Sequence, residues 1–462
     1  MTGWPGAPSD LVAAQRRSLC RVLGRWREHR VDAEPGDGGR VELVDIEVLR
    51  AGRTGVLDVV AEMDGVLAHA VLGLHRPGDE LHMLGAVEEP ALGVLEDDDG
   101  VAFVVDAMRD ADAARLLLAA VAGDRVAGPG RPAGETVTAP GGLAPSPAAV
   151  SVLHDDAEAT TLGFDHRLTL SVFASLRRGP HPGIALLAGL DEAGFNHLAA
   201  PVAFWRRAGR DLGVAQEFLA GATGGWALAL TSLRDLFAAG STPDAAGGDF
   251  APEALALGTM AARMHLALDR AFGRRAGDVE AWSDDAEATL ARVAPEVLDA
   301  AVEGLPEPTL RQALASLRRA GLRPPITRTH GDFHLGRSAR TDHGWILADC
   351  LPGGADPITG AAILRSPLAD VADMCWSIRY ASVVAATERG PVAARSKAGE
   401  LARAWDARNR RAFLAAYLAT PGIGELLPTD RRVVRRMLAV FEAIRTARGT
   451  ALLDTGALAS SN

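Results

Sequence analysis

The string Thr329-His-Gly-Asp-Phe-His-Leu-Gly-Arg337, followed by the apolar run Trp345-Ile-Leu-Ala-Asp349, concentrates the residue types that do chemistry. Three readings compete. His330, Asp332 and His334 alternate, so on an extended segment they share a face, a spacing that suits metal ligands. Against this, no other His/Asp/Glu cluster completes the set, and Cys350 points away from Asp349 if the strand continues. In the second reading, Asp332 orients and deprotonates a substrate hydroxyl, while Asp349, ending an apolar strand, holds Mg²⁺ on nucleotide phosphates. Phosphoryl transfer needs an oriented acceptor and compensated phosphate charge more than covalent chemistry. Two carboxylates on separate elements suit those duties. In the third, His330 and Asp332 merely hydrogen-bond a buried turn around Gly331. Loops, however, seldom invest three polar residues in packing.

The elements that must position these groups follow from patterning. The chain has 462 residues, 48% hydrophobic and 23% charged. That is ordinary globular composition, excluding disordered and fibrous classes, and long enough for two or three domains at ~150 residues each. Net charge is −11 with no basic block, which disfavours nucleic acid as a partner. No run of roughly 18 apolar residues predicts a membrane span, and the start MTGWPGAPSD lacks the features of a signal peptide. Cys20, Cys350 and Cys375 are too few for a disulfide framework. The expected location is cytoplasmic. Lys397 is the one lysine; the other 47 basic residues are arginine. A helix is predicted over Leu11–His29. Strands are predicted over Val41–Leu49, Val56–Met63, Val66–Leu74 and Val101–Val105, with a type I′ hairpin at Asp64-Gly65 and a helix over Ala107–Val121. Dense Pro and Gly between Gly128 and Pro147 mark a linker. Strands are expected at Ala149–Leu153, Arg167–Phe173, Pro201–Trp205 and Gly213–Phe218, with a helix at Ile184–Ala193. The rest is mostly helical. Leu257, Met260, Met264 and Leu268 recur at helical spacing. Two strands, Arg337–Arg340 and Trp345–Ala348, break the pattern, and helices return at Pro367–Ala386, Ala402–Leu418 and Arg431–Arg448, Ser366-Pro367 opening the first of these.

His-Gly-Asp-x-His followed by a strand ending in Asp resembles the catalytic segment of the aminoglycoside-phosphotransferase and choline-kinase-like kinases. More closely, the chain resembles the actinobacterial maltokinases and their relatives, the glucosamine kinases. The resemblance extends to Leu187–Phe195, Gly213-Val-Ala-Gln-Glu-Phe218, Gly225-Trp226, Leu257-Gly258, Met264-His265, Ser366-Pro-Leu-Ala-Asp370, Tyr380-Ala381, and Trp405, Arg410, Phe413 and Tyr417. It implies an α+β fold: a bilobal, protein-kinase-like (aminoglycoside phosphotransferase-like) architecture with a strand-rich N-terminal cap and a large helical C-lobe. The implied division is a cap at 1–127, a linker at 128–148, a small mixed lobe with hinge at 149–222 and the helical lobe at 223–462. The implied reaction moves the γ-phosphate of ATP to a hydroxyl of a sugar or amino sugar. Asp332 acts as base with His330 and Arg337 beside it, and Asp349 is the Mg²⁺ ligand. The backbone of Gln216, Glu217 and Phe218 meets the adenine, and Asp370 is a structural support. Asp356, Trp405 and Asp406 are candidate substrate contacts, although helical spacing makes Trp405, Phe413 and Tyr417 core residues first.

The nucleotide side departs from that family. Ser171, in Leu168-Thr-Leu-Ser-Val-Phe173, stands where the family carries a phosphate-binding lysine. Ala185 stands where its glutamate partner would be. Losing one partner alone strands a charge; losing both strands none. The expected phosphate loop, His154–Gly163, carries Asp155, Asp156 and Glu158. Arg337 replaces a second metal ligand, and a guanidinium has no acceptor for a metal; it can instead contact a phosphate directly. Two function classes follow: a divergent sugar kinase, or a pseudokinase acting as a binding module with a regulatory protein partner.

Overall fold

The computed structural model describes residues 8–30, 40–50, 54–79, 81, 84, 91–97, 100–121, 149–177, 179–278, 307–350, 364–389 and 397–454. The expected linker at 128–148 and Asp356 lie outside them. The chain divides into two compact units, Met1–Ile184 with Ala200–Ala220, and Ala185–Ala199 with Gly221–Asn462.

In the first unit, α1 (Pro8–Arg30) covers an antiparallel sheet of β1 (Val41–Arg50), β2 (Thr54–Met63), β3 (Val66–His75), β4 (Gly93–Asp97) and β5 (Gly100–Asp106), ordered β1-β2-β3-β5-β4. Leu19, Leu23 and Trp26 of α1 pack on Leu57, Val59, Leu72 and Leu74, alternate positions that share one face of a sheet buried on both. Asp64 and Gly65 take φ of 50° and 82°, the left-handed pair that a type I′ hairpin requires. The helix expected from Ala107 starts late. Asp106 accepts the Met108 N–H at 2.9 Å over a 3₁₀ turn, and Asp110 accepts the Ala113 N–H at 2.7 Å. Asp110 thus caps α2 (Ala111–Val121).

A second sheet contains β6 (Val150–Asp155), β7 (Ala159–Phe164) and β8 (Leu168–Phe173). Past the short β9 (Ser175–Leu176), it continues with β10 (Pro201–Arg207) and β11 (Arg210–Glu217), in the order β10-β11-β8-β7-β6. The residues expected as a separate cap and small lobe are joined here in one unit. β9 pairs with β3, and Arg207 reaches a buried cluster on the first sheet. Its guanidinium meets Asp58 at 2.6 Å, Asp45 at 2.9 Å and Glu47 at 3.2 Å. Asp58 also meets His69 Nε2 at 2.9 Å, and His69 Nδ1 lies 2.6 Å from the Phe173 carbonyl. Asp58 and His69 are fully buried, so their polar atoms must find partners within this cluster.

The second unit is mainly helical. It holds α3 (Pro182–Glu192) from Ala185 onward, β12 (Thr223–Gly224), α4 (Gly225–Ala239), α5 (Ala251–Phe272) and β13 (Arg274–Ala276). These are followed by α6 (Glu307–Arg319), β14 (Pro325–Arg328), β15 (Ser338–Thr341), β16 (Gly344–Leu347), β17 (Leu364–Arg365), α7 (Leu368–Thr387), α8 (Lys397–Ala419) and α9 (Arg431–Asp454). Leu257, Met260, Met264 and Leu268 are all buried in the α5 core face, as their spacing predicts. Helix α5 packs on α8, and α7 packs on α8 and α9. Two small sheets, β12-β15-β16 and β13-β14-β17, flank this core. The sequence reading missed β4, β7, β9, β12, β13, β14 and β17. All but β4 and β7 have two to four residues, too short for an alternation to register, and β7 lies in the stretch expected as a phosphate loop. The fold class is α+β, as expected. Among the described residues no helix is long and apolar enough to cross a membrane.

Candidate functional site

Strand β14 delivers the chemical loop into the second unit. Thr329 and His330 are fully buried at its end. Gly331 follows with φ of 90°, a left-handed turn that a side chain would resist. Asp370, in the first turn of α7, accepts both neighbouring N–H groups, from His330 at 2.7 Å and Gly331 at 3.0 Å. His265 of α5 holds Asp370 in turn, with Nε2 at 3.1 Å, while its Nδ1 meets the Tyr417 hydroxyl of α8 at 2.9 Å. Burial raises the Asp370 carboxyl, but the His265 hydrogen bond and the neighbouring charges outweigh it and hold it at about 2. A buried carboxylate that receives three hydrogen bonds stays ionised.

His330, expected among the catalytic residues, is buried with its ring held between two backbone groups. Its Nδ1 lies 3.3 Å from the Asp332 N–H, and its Nε2 lies 2.8 Å from the Asp349 carbonyl. Accepting at Nδ1 leaves the proton on Nε2 for the carbonyl, and burial holds the ring below its ordinary pKa. Both ring nitrogens are therefore used. His334 directs Nδ1 at the Gly336 N–H, 3.1 Å away, and places Nε2 3.3 Å from Asp332. The metal-triad reading of His330, Asp332 and His334 is set aside on these bonds.

Asp332 and Asp349 do come together, and arginine joins them. Arg337 Nη1 lies 2.6 Å from Asp349 Oδ2, and Arg337 Nε lies 3.5 Å from Asp332. From α9, Arg445 Nη2 lies 3.6 Å from the other Asp332 oxygen, and its Nε lies 3.6 Å from Asp373. Burial raises the Asp332 carboxyl, but the His334 hydrogen bond and the charges of His334, Arg445 and Arg337 hold it well below the usual carboxylate range. Asp373 differs: burial pushes it up to about 6 despite Arg365 and Arg445. Arg445 also lies 4.8 Å over the Trp376 ring, which stacks on Tyr380 at 4.9 Å. Trp226 in turn lies 5.6 Å from Tyr380. Gly225 of the Gly225-Trp226 pair is there for lack of room: a Cβ would stand 2.7 Å from the Leu335 carbonyl and the Ser338 hydroxyl.

The residues present do not fit the Mg²⁺ implied by the resemblance. Mg²⁺ takes octahedral oxygen ligands, commonly one or two carboxylates with phosphates and water. The second expected ligand position is Arg337, a donor, and it already bonds the first, Asp349. A divalent cation about 4 Å from that guanidinium meets repulsion of about 8 kcal/mol at an effective dielectric of ~20. Among the described residues no three His, Cys, Asp or Glu side chains are grouped to hold a metal ion.

The remaining expected residues fall elsewhere. Ser171 is buried on β8 and shares a 2.8 Å hydrogen bond with Thr161. Asp155 and Asp156 serve their own hairpin. Asp155 accepts the Thr160 hydroxyl and meets Arg109, while Asp156 accepts the N–H groups of Glu158 and Ala159. In the expected adenine segment, Gln216 pairs with Thr169. The Glu217 N–H is bonded to the Ala200 carbonyl and the Phe218 N–H to that of Arg167. Those two N–H groups of the expected hinge are engaged by backbone carbonyls. Trp405 is 1% exposed and donates to Ser232, and Asp406, 4% exposed, faces Arg379 and Arg410. Both are interior residues rather than sugar contacts, because the packing of α8 turns them inward. The sequence reading assigned no role to Arg445, Trp376 or Tyr380; neither charge nor periodicity marks a residue that meets Asp332 only across packed helices.

No family model matches the chain. A glucosamine kinase of Streptacidiphilus jiangxiensis is 32% identical over 214 residues, which are 44% of this chain and 45% of that protein. The chain thus matches a little under half the length of that curated relative. Among solved structures, a glucosamine kinase in complex with glucosamine, ADP and inorganic phosphate superposes with a TM-score of 0.60 at 21% identity, covering 90% of this chain and 89% of that one. A second glucosamine kinase structure, crystal form A, gives a TM-score of 0.61 at 21% identity over 97% and 94%. The chain is therefore similar in sequence to a glucosamine kinase over part of its length and shares the α+β kinase-like fold of such proteins over most of it.

Proposed function

We propose that this chain is a phosphotransferase that moves the γ-phosphoryl group of ATP onto a hydroxyl of an amino sugar of the glucosamine type. The observation that carries this reading is the ionised Asp332 on a loop clamped by Asp370, with two arginines beside it. The acceptor hydroxyl donates a hydrogen bond to Asp332. Its oxygen forms the new bond to phosphorus as the bond to the ADP leaving oxygen breaks, and its proton ends on Asp332. A carboxylate this acidic orients the hydroxyl early and takes the proton late, which suits a loose transition state. Arg337 and Arg445 are each partly exposed, and guanidinium groups are donors suited to phosphoryl oxygens. The similarity to glucosamine kinases favours an amino sugar over maltose.

The test is phosphorylation of glucosamine, glucose and maltose by ATP, in the parent and in Asp332→Asn. Turnover of glucosamine is expected, and its rate should fall roughly 10²–10⁴-fold in the variant with the fold intact. Phosphorylation of none of the three by a folded parent, or equal turnover in the variant, overturns the proposal. A second reading, a non-catalytic sugar-binding module, is favoured by one observation: Ser171 is engaged with Thr161 in the sheet and offers no phosphate charge compensation. It predicts glucosamine binding without ADP release.

A further inference from the structure

We infer that Arg337 is the resident cation of this site: its guanidinium takes the charge-compensating place between Asp332 and Asp349 and keeps divalent metal off Asp349. The proposed function supplies only the purpose of that cation; the contacts stand without it.

The pairing is built into the hairpin. Ser338 and Leu347 are partners in the β15–β16 ladder, so Arg337 and Ala348 flank it on opposite strands, and the Ala348 N–H donates to the Arg337 carbonyl at 2.9 Å. The next residue is Asp349. From there the long Arg337 side chain reaches that carboxylate. The backbone of Arg337 is fixed from the other end as well, its N–H bonded to the His334 carbonyl at 2.9 Å in the 3₁₀ turn that His334 caps. The guanidinium then bridges Asp349 at 2.6 Å and Asp332 at 3.5 Å. A planar fork with several donors spans two carboxylates as a spherical ion would, but it cannot be chelated away. Arg445 supplies a second fixed positive charge at Asp332. Each of Asp332 and Asp349 thus already faces a guanidinium, which weakens its attraction for a further cation.

The test reads metal directly. Mn²⁺ is titrated into the full chain without nucleotide and followed by electron paramagnetic resonance, for the parent, Arg337→Asn, Arg337→Lys and Arg337→Asn with Asp349→Asn. The parent and Arg337→Lys are expected to retain no Mn²⁺ at millimolar concentration. Arg337→Asn, which exchanges the cation for an oxygen ligand, is expected to gain one site at least tenfold tighter, and the double variant to lose it. A parent site abolished by Asp349→Asn overturns the inference, and so does an Arg337→Asn variant, folded by circular dichroism, that gains no site. ATP affinity is then compared in EDTA and in Mg²⁺. Equality within twofold is expected, and a tenfold loss in EDTA overturns the inference. Absence of ATP binding in both buffers, with Mn²⁺ still excluded from the parent, removes the kinase reading and leaves the resident cation in place.

Discussion

The two units use buried charge differently. In the first, Arg207, Asp58 and His69 are buried and bonded to one another, with one Arg207 nitrogen left without a hydrogen bond. In the second, Asp332, Asp349, Arg337 and Arg445 are each a quarter or so exposed and stand around a single loop. Behind them the sealed Asp370–His265–Tyr417 chain does the holding. The first arrangement joins layers and presents nothing. The second separates the rigid support from the reactive group, which is what a site needs if its carboxylate is to be both fixed and reachable. The same contrast runs through the positions expected to meet phosphate. The first unit has neutral Ser171 and an acidic hairpin whose Asp155 is tied to Arg109, whereas in the second two arginines stand at Asp332.

The sharpest way to break this comparison is Asp370→Asn. If Asp370 is the support of the loop, the variant loses about 3–5 kcal/mol in urea melts, as expected when one partner leaves a buried charged network, and phosphotransfer disappears with it. Because the Asp370 carboxyl is held near 2, below its unfolded value, its contribution is complete above about pH 4 and fades as pH falls towards 2. Arg207→Met should cost a similar or slightly smaller amount, about 3–4 kcal/mol. The rate per folded molecule should remain at the parent's value, and a matching loss of rate would show that the first unit's network is not purely structural. Asp373→Asn sharpens the second unit's side. Its carboxyl is raised to about 6, so the unfolded chain gives up this proton first, and parental stability falls between about pH 4 and pH 6. The variant should be the more stable at pH 7, by at most about 3 kcal/mol, and the gap should close at pH 4. Ser171→Ala is the smallest test: loss of one hydrogen bond should cost about 1 kcal/mol and leave ATP affinity unchanged. A large drop in affinity would return Ser171 to the nucleotide.

Much of the fold was legible locally. The hairpin at Asp64-Gly65, the α5 stripe and the long helices are announced by turn chemistry and periodicity, which depend on neighbours within a few residues. The late start of α2 was not foreseen because Asp106 and Asp110 compete for the same backbone donors, and a pattern of apolar residues does not say which cap wins. At the site, Asp332 and Asp349 were legible as a pair from their motif. That Arg337 bonds Asp349 was not foreseen, since a contact between the two ends of a hairpin is not a property of the string. Trp405 and Asp406 were drawn to the substrate by residue type and removed from it by burial.

By itself the sequence determined which groups are available: a single lysine far from the motif, arginine everywhere else, a glycine where the loop must turn left-handed, and carboxylates at fixed separations along the chain. Only the tertiary structure decided which charges face each other. Arg445 and Asp370 reach the loop from helices distant in sequence, and electrostatic interaction depends on distance and burial in space, neither of which is written in the order of residues.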